Sequence, residues 1–280
     1  SPRSSFDPSS TTASAADFGT NEFKTWIIEP QLEYKSVIWK GRFQFLAGGT
    51  IQRNTNRQTQ LSGLNYPDDN LLGSISSAGI KTAFDSYSEY KYAALFGRLN
   101  YVLDNRYLIN INGRRDGSSR FGPGKKFGNF FSFGMGWIFS ETRFIKSRIK
   151  WLSFGKIRAS YGTTGNDNIG NYQYLSRWQA TSNTYNGTAG YIPQNLPNDD
   201  FSWSVNKKFE LGSDLGLLDN KITFSIAWFR NRSGNQLVSY ILPGQTGFSS
   251  ITANFPALVQ NTGIELQVSG NILRSKTFSW

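Results

Sequence analysis

The stretch Lys221–Phe229 reads K-I-T-F-S-I-A-W-F. In an extended strand, Ile222, Phe224, Ile226 and Trp228 fall on one face and Thr223, Ser225 and Ala227 on the other, because strand side chains alternate with period two. One such run fits any half-buried strand. Here the pattern recurs along the chain, with large apolar residues facing one way and Ser, Thr, Asn, Gly or charge facing the other. That division suits a wall with hydrocarbon on one side and water on the other.

Working outward from this run, Asp219-Asn220 predicts a tight turn. Beyond it lies a strand with Phe209, Leu211, Leu215 and Leu217 opposite Glu210, Gly212, Asp214 and Gly216. On the other side, a loop over 243–256 leads to Ile264, Leu266, Val268 and Ile272 opposite Glu265, Gln267 and Ser269. Further upstream, alternation predicts strands over 25–34, 41–51, 87–102, 107–114, 131–139 and 151–162. A second tight turn is expected at Asp104-Asn105, and Pro30 fits a strand end or bulge. Residues 1–24 read as a loop or disordered lead-in, and 25–280 as barrel wall. Long loops are expected over 52–85, with a short helix near 70–78, over 116–126, and over 163–200, with a hairpin near 172–181. A last strand begins at Thr277. Short turns at one end and loops of about ten to forty residues at the other are the asymmetry of an outer-membrane barrel. The expected fold is therefore all-β, an antiparallel transmembrane β-barrel. About ten strands are legible, fewer than a wide barrel holds, so the chain reads as a segment of a larger one.

Charges on the second face sharpen the reading. Arg98, Arg114, Lys156, Arg158, Glu210, Asp214 and Glu265 lie mid-strand, opposite the apolar face. In a dry core each costs several kcal/mol unless paired. Facing a wet lumen or an internal plug they are tolerable. A soluble β-rich carbohydrate-binding module is the rival reading, and it requires the apolar faces to pack on each other. A passive outer-membrane channel is the other.

Composition agrees. Apolar residues make up 38% and aromatics 15%, with 22 Phe, 13 Tyr and 8 Trp. Few apolar residues but many aromatics suit a one-sided wall with aromatic girdles better than a packed core. The net charge of +11 comes without any run of more than two basic residues, which suits a solvated rim or lipid headgroups rather than nucleic acid. There is no Cys and no His, which excludes thiolate and imidazole chemistry from this stretch. Asp68-Asp69 and Asp199-Asp200 lack a calcium-loop spacing. Gly122-Pro123-Gly124-Lys125 lacks that of a phosphate loop. No metal, cofactor or enzymatic activity is expected.

The segment 114–122 reads R-R-D-G-S-S-R-F-G, and W-I-I-E-P stands at 26–30, F-G-R-L-N-Y at 96–101, K-I-R-A-S-Y-G at 156–162, L-P-N at 196–198 and N-T-G-I-E at 261–265. In this order the motifs closely resemble the SusC/RagA-type TonB-linked outer-membrane transporters. The resemblance implies a barrel of about 22 strands around an N-terminal plug. It also implies import of glycans or peptides energised by the TonB complex, and a SusD-like surface lipoprotein as lid. The TonB contact would lie in a plug region outside these residues. Where the family often has Trp-Glu after L-P-N, this chain has Trp203-Ser204.

Candidate residues follow. Trp178, Tyr185, Tyr191 and Trp203 lie in the expected outer loops, where aromatic rings stack on sugars. Arg114, Arg115, Asp116, Gly117, Ser118, Ser119, Arg120 and Phe121 form the motif loop, readable as a ligand contact or as local turn structure. Arg98, Arg158, Glu210, Asp214 and Glu265 are expected to face the lumen or plug.

Overall fold

The computed structural model describes residues 1–7 and 13–270. The strands are β1 (Ala15–Ile28), β2 (Gln31–Ile38), β3 (Gly41–Leu64), β4 (Ile80–Leu103), β5 (Tyr107–Ser118), β6 (Phe127–Ile138) and β7 (Leu152–Asn166). Then come β8 (Trp178–Tyr185), β9 (Thr188–Pro193), β10 (Ser204–Leu217), β11 (Ile222–Gly234), β12 (Gln236–Ile241), β13 (Ser250–Phe255) and β14 (Val259–Gly270). Ten of them form one sheet in the order β1-β3-β4-β5-β6-β7-β10-β11-β14, with β2 also on β3. The pairs β8–β9 and β12–β13 are separate hairpins. Ile272 and the strand expected from Thr277 lie outside the described residues.

The chain divides into two compact units, residues 1–27 with 52–91, and 28–51 with 92–280. In the first, Tyr66 and Ala78 are buried, and the Ser14 hydroxyl donates to the Tyr66 carbonyl at 3.1 Å. The Asp69 carboxylate accepts the Arg3 amide at 2.7 Å and the Ser4 amide at 2.9 Å. The Ser4 side chain, then these amides, hold its pKa below the usual carboxylate range. A lowered folded pKa contributes stability that is complete above the ordinary Asp value and lost as pH falls through the lowered one. The Arg3 and Ser4 amide proton shifts are therefore expected to titrate on the acid side of an ordinary Asp. Asp69→Asn should flatten both curves, and an unchanged titration in that variant would rule the contact out.

In the second unit the turns explain themselves. Asp104 and Asn105 have φ of 51° and 54°, and the Arg106 amide closes on the Leu103 carbonyl at 2.9 Å. Two left-handed residues make the primed turn whose twist matches a hairpin, and Asp and Asn tolerate that conformation best. Leu218, Asp219 and Asn220 are likewise left-handed. The connection after β6 holds one short helix, α1 (Arg143–Arg148). Connections at the opposite ends of the strands are longer, over 119–126, 167–203 and 235–258.

Register sorts the faces. Leu211 pairs with Trp228, and Trp228 with Ile264; one residue along, Gly212 pairs with Ala227 and Ala227 with Glu265. Packing two layers together would bury the apolar face. Instead Phe133, Trp228 and Leu266 are 38%, 36% and 68% exposed, with Met135, Ile157 and Ile226 exposed beside them. So large a continuous apolar surface is at rest in hydrocarbon, not water. No helix among the described residues is long and apolar enough to cross a membrane, which says nothing of a sheet that crosses with strands.

Five expectations change. The loops expected over 114–121 and 116–126 are strand as far as Ser118, where β5 ends. Residues 15–24 are strand, so the lead-in is shorter than 1–24. Strands β3 and β4 run to Leu64 and from Ile80, leaving only 65–79 of the expected 52–85 loop, with two 3-10 turns, at 69–71 and 75–77, instead of an α-helix. The hairpin expected near 172–181 lies at 178–193. Half of the 243–256 loop is β13. The bend at Glu29-Pro30 behaves as expected: Pro30 separates β1 from β2, and its carbonyl accepts the Gly49 amide at 3.1 Å.

Candidate functional site

The polar face of the sheet and the loops above it carry the candidate residues. At the top of β5, alternation turns Arg114, Asp116 and Ser118 to the polar face, and Arg115 and Gly117 to the apolar one. Arg114 reaches Asp116 Oδ1 at 2.5 Å and the Tyr92 hydroxyl at 2.6 Å, with its guanidinium 5.3 Å from the Phe96 ring centre. Arg115 stacks on Phe127 at 5.0 Å. Gly117 is required by the same ring, since a Cβ there would lie 2.6 Å from Phe127. Ser118 Oγ donates to Asp167 Oδ2 at 2.7 Å. After Ser119, Arg120 donates to the Asp167 carbonyl at 3.1 Å and to Asn171 Oδ1 at 3.2 Å. Phe121 is fully buried. The motif is thus a staple: polar groups fasten the end of β5 to the 167–171 loop, and Phe121 fastens it to a small apolar core.

That core consists of Phe121, Phe130, Ile169, Phe201 and Trp203. Trp203 lies 5.2 Å from Phe121 and 5.5 Å from Phe130, ring centre to ring centre, and its Nε1 donates to the Lys126 carbonyl at 3.1 Å. It is only 7% exposed. Trp203 is therefore not offered to a ligand, contrary to the expectation for it. Its polar sequence neighbours suggested an open loop, while its ring and hydrogen-bond partners, Phe121, Lys126 and Phe130, lie far away in the sequence. Trp178, Tyr185 and Tyr191 do stand in the open, on the β8–β9 hairpin, with Tyr185 90% exposed near its tip. Ala180 pairs with Tyr191, which places Trp178 and Tyr191 on the same side of that hairpin.

Lower on the polar face, Arg158 sits between two carboxylates. It pairs with Glu210, and its Nε is 3.5 Å from Asp214 Oδ2, while Ser225 donates to Asp214 Oδ1 at 2.7 Å. A Cβ on Gly212 would lie 3.0 Å from the guanidinium, so the bare backbone gives Arg158 its seat. Arg98, on β4, pairs in register with Asn112, and Glu265 with Ala227; both are exposed on this face but apart from the Arg158 cluster. Alternation alone missed a chain of amides across neighbouring strands. Asn100 donates to Gln44 at 3.4 Å, Asn110 to Asn100, Asn112 to Asn110, and Asn112 to Ser132 at 2.8 Å. Its signal was present, as Asn110 and Asn112 two residues apart on one strand. Two adjoining recesses of 490 and 390 Å³ open on this face. Asn110, Gly134 and Ser160 line both, Arg114 and Lys208 the first, and Arg158 and Glu210 the second. These groups can bind hydrogen-bonding solutes; among the described residues no group of three or more carboxylates could hold a metal ion.

The outer loops are also tied together by asparagines not singled out from the sequence. Asn254 Nδ2 donates to the Ser202 and Asn235 carbonyls at 2.9 and 3.1 Å, and Asn235 Nδ2 to the Trp203 carbonyl at 3.0 Å. Asn198 donates to the Thr252 carbonyl at 3.2 Å. The β12–β13 hairpin is thereby anchored to the segment carrying Trp203.

Comparison with known proteins places this architecture. Residues 2–280 match the family described as TonB dependent receptor-like, beta-barrel. The TonB-dependent receptor P39 of Formosa agariphila is 31% identical over 84% of the chain, and the TonB-dependent receptor SusC of Bacteroides thetaiotaomicron 33% identical over 66%. The chain spans 22% and 19% of those proteins' lengths. The structure of the RagAB peptide transporter superposes with a TM-score of 0.85 at 25% identity, covering 96% of this chain and 30% of that one. Such barrels are outer-membrane proteins and not enzymes. The family motifs, the one-sided sheet and these likenesses agree: the chain, similar to SusC and RagAB, belongs to the TonB dependent receptor-like, β-barrel family.

Proposed function

We propose that this chain supplies part of the wall and outer loops of an energised outer-membrane importer of glycans or peptides. The observation that carries the reading is the single sheet with an exposed apolar face, a polar face of balanced charge and amides, and stapled loops at one end. Family membership supports TonB-dependent import. RagAB, whose structure is that of a peptide transporter, supports peptide cargo, and exposed aromatics beside amides suit sugar rings equally. A SusD-like lipoprotein would close over the outer loops. The Arg158–Glu210–Asp214 cluster would face the plug or the solute path, and Trp178 and Tyr191 would make the first contact.

In the full-length protein with its lipoprotein, replacing Trp178 and Tyr191 together by Ala should weaken binding of a peptide or oligosaccharide pool by about five- to 150-fold, since each stacking ring is worth roughly 0.5–1.5 kcal/mol and two are lost. Titration against both pools identifies the cargo class. Unchanged affinity for both pools, with normal expression, removes the hairpin from capture. Uptake that survives loss of TonB would move the reading to a passive channel.

A further inference from the structure

One face of β11 reads Ile222, Phe224, Ile226, Trp228, Arg230, Arg232. The first four belong to the apolar band. At about 3.3 Å per residue they span about 20 Å of strand, or about 15 Å of height at a barrel's usual tilt, which puts Arg230 and Arg232 about 20 and 25 Å above Ile222, at the upper edge of an apolar belt roughly 25 Å tall. Trp228 meets Phe209 edge-on at 5.7 Å, the kind of aromatic pair found where hydrocarbon gives way to headgroups. The next two positions on the same face are both arginines.

Neighbouring strands add to the charge. Lys207 on β10 lies directly opposite Arg232, and Arg230 is one same-face step below it. Like charges directly opposite one another repel and destabilise the pair. No register partner among the described residues offsets them. The register partners of Lys207, Arg230 and Arg232 on the flanking strands are Thr163, Phe209, Thr262 and Gln260, without a carboxylate. Arg232 donates to Gln260 at 2.7 Å, a neutral acceptor, and among the described residues none of the three forms an ion pair. The lumen side is unlike this: there Arg158 meets two acids. An uncompensated cationic row just above an aromatic belt, facing outward at the loop end, calls for an anion supplied by the surroundings.

We propose that Lys207, Arg230 and Arg232 bind the phosphate of an anionic lipid headgroup in the outer leaflet, so that one lipid is held against β10–β11 with its tails on Trp228 and Leu211. Guanidinium forks match phosphate oxygens bidentately, and the flexible Lys207 adds a point charge. This rests on the reading of the apolar face as the lipid side. That premise has its own test. The chain has no cysteine, so Ile226→Cys introduces a unique thiol here. A nitroxide there should be reached by oxygen in the bilayer and not by a water-soluble nickel chelate; the reverse result removes the premise.

The proposal itself is tested on the full-length protein by native mass spectrometry and by lipid exchange in nanodiscs, with phosphatidylglycerol against phosphatidylcholine. The wild type should retain phosphatidylglycerol selectively, and each of Lys207→Gln, Arg230→Gln and Arg232→Gln should lower that retention about fivefold, the worth of one surface cation near anionic lipid. Millimolar inorganic phosphate should not displace the lipid if tails and headgroup are held together. Equal retention of both lipids, or selectivity unchanged in the triple variant, overturns the proposal. So does displacement by phosphate alone, or charge neutralisation by the lipoprotein or a second copy in the purified complex.

Discussion

Ile226→Arg should prevent the protein from assembling in the outer membrane, whereas Ser225→Arg, one residue away, should assemble normally. The two side chains point to opposite faces of β11. Ile226 is exposed and pairs with Ser213 and Leu266 on the apolar side, near the middle of the band that runs from Ile222 to Trp228. A guanidinium at the bilayer midplane of a barrel costs about 2–4 kcal/mol, and the tilted strand leaves it no short route to water. Ser225 faces the polar side, where its hydroxyl already donates to Asp214. An arginine in its place meets that carboxylate and solvent. Surface-exposed, heat-modifiable barrel on a gel, compared between the two variants at equal expression, gives the readout. Were the apolar faces packed on each other in a soluble module, both variants would be recovered without detergent and Ile226→Arg would merely lower its melting temperature. Equal assembly of both variants would sink the membrane reading of this face.

Adjacent positions can be assigned opposite fates because alternation was legible wherever the wall has two different solvents. The runs 107–111, 131–137, 157–161 and 222–228 each read as strand with the correct face outward. The turns at 104–105 and 219–220 were equally legible, since Asp and Asn mark left-handed positions. The signal faded where its cause did. Residues 52–60 read Q-R-N-T-N-R-Q-T-Q and are strand in the structure, yet they are polar on both faces. A strand wet on both sides carries no period-two hydrophobic pattern, so it reads as loop. The same holds for 15–24. In the site, the charges of the polar face were legible because mid-strand charge opposite an apolar face has few other uses. Trp203 was not, because burial in a loop cluster depends on Phe121, Phe130 and Ile169 arriving from elsewhere in the chain, and local sequence holds no record of that.

The burial of Trp203 leads to the second large effect. Phe121→Ala and Trp203→Ala should each release the outer loops while leaving the wall below intact. These rings form one small core with Phe130, Ile169 and Phe201, and removing a buried Phe or Trp costs about 3–5 kcal/mol through lost transfer energy and the cavity left behind. A core of five residues has little else to absorb the loss. Phe121 closes the staple made by Ser118 and Arg120 on Asp167, and Trp203 holds the segment whose backbone Asn235 and Asn254 grip. Loss of either ring should therefore raise hydrogen exchange and protease cleavage over 119–126, 167–203 and 235–258 together, with strand amides of β5, β6 and β7 still protected. Trp203→Phe should recover most of the protection, losing the hydrogen bond to Lys126 at roughly 1 kcal/mol. Trp178→Ala removes a ring of the same kind from an exposed hairpin and should leave protection unchanged while affecting solute capture. That contrast separates scaffold from contact: a Trp203→Ala variant with fully protected loops and weakened binding would return Trp203 to the ligand-contacting role that its burial argues against.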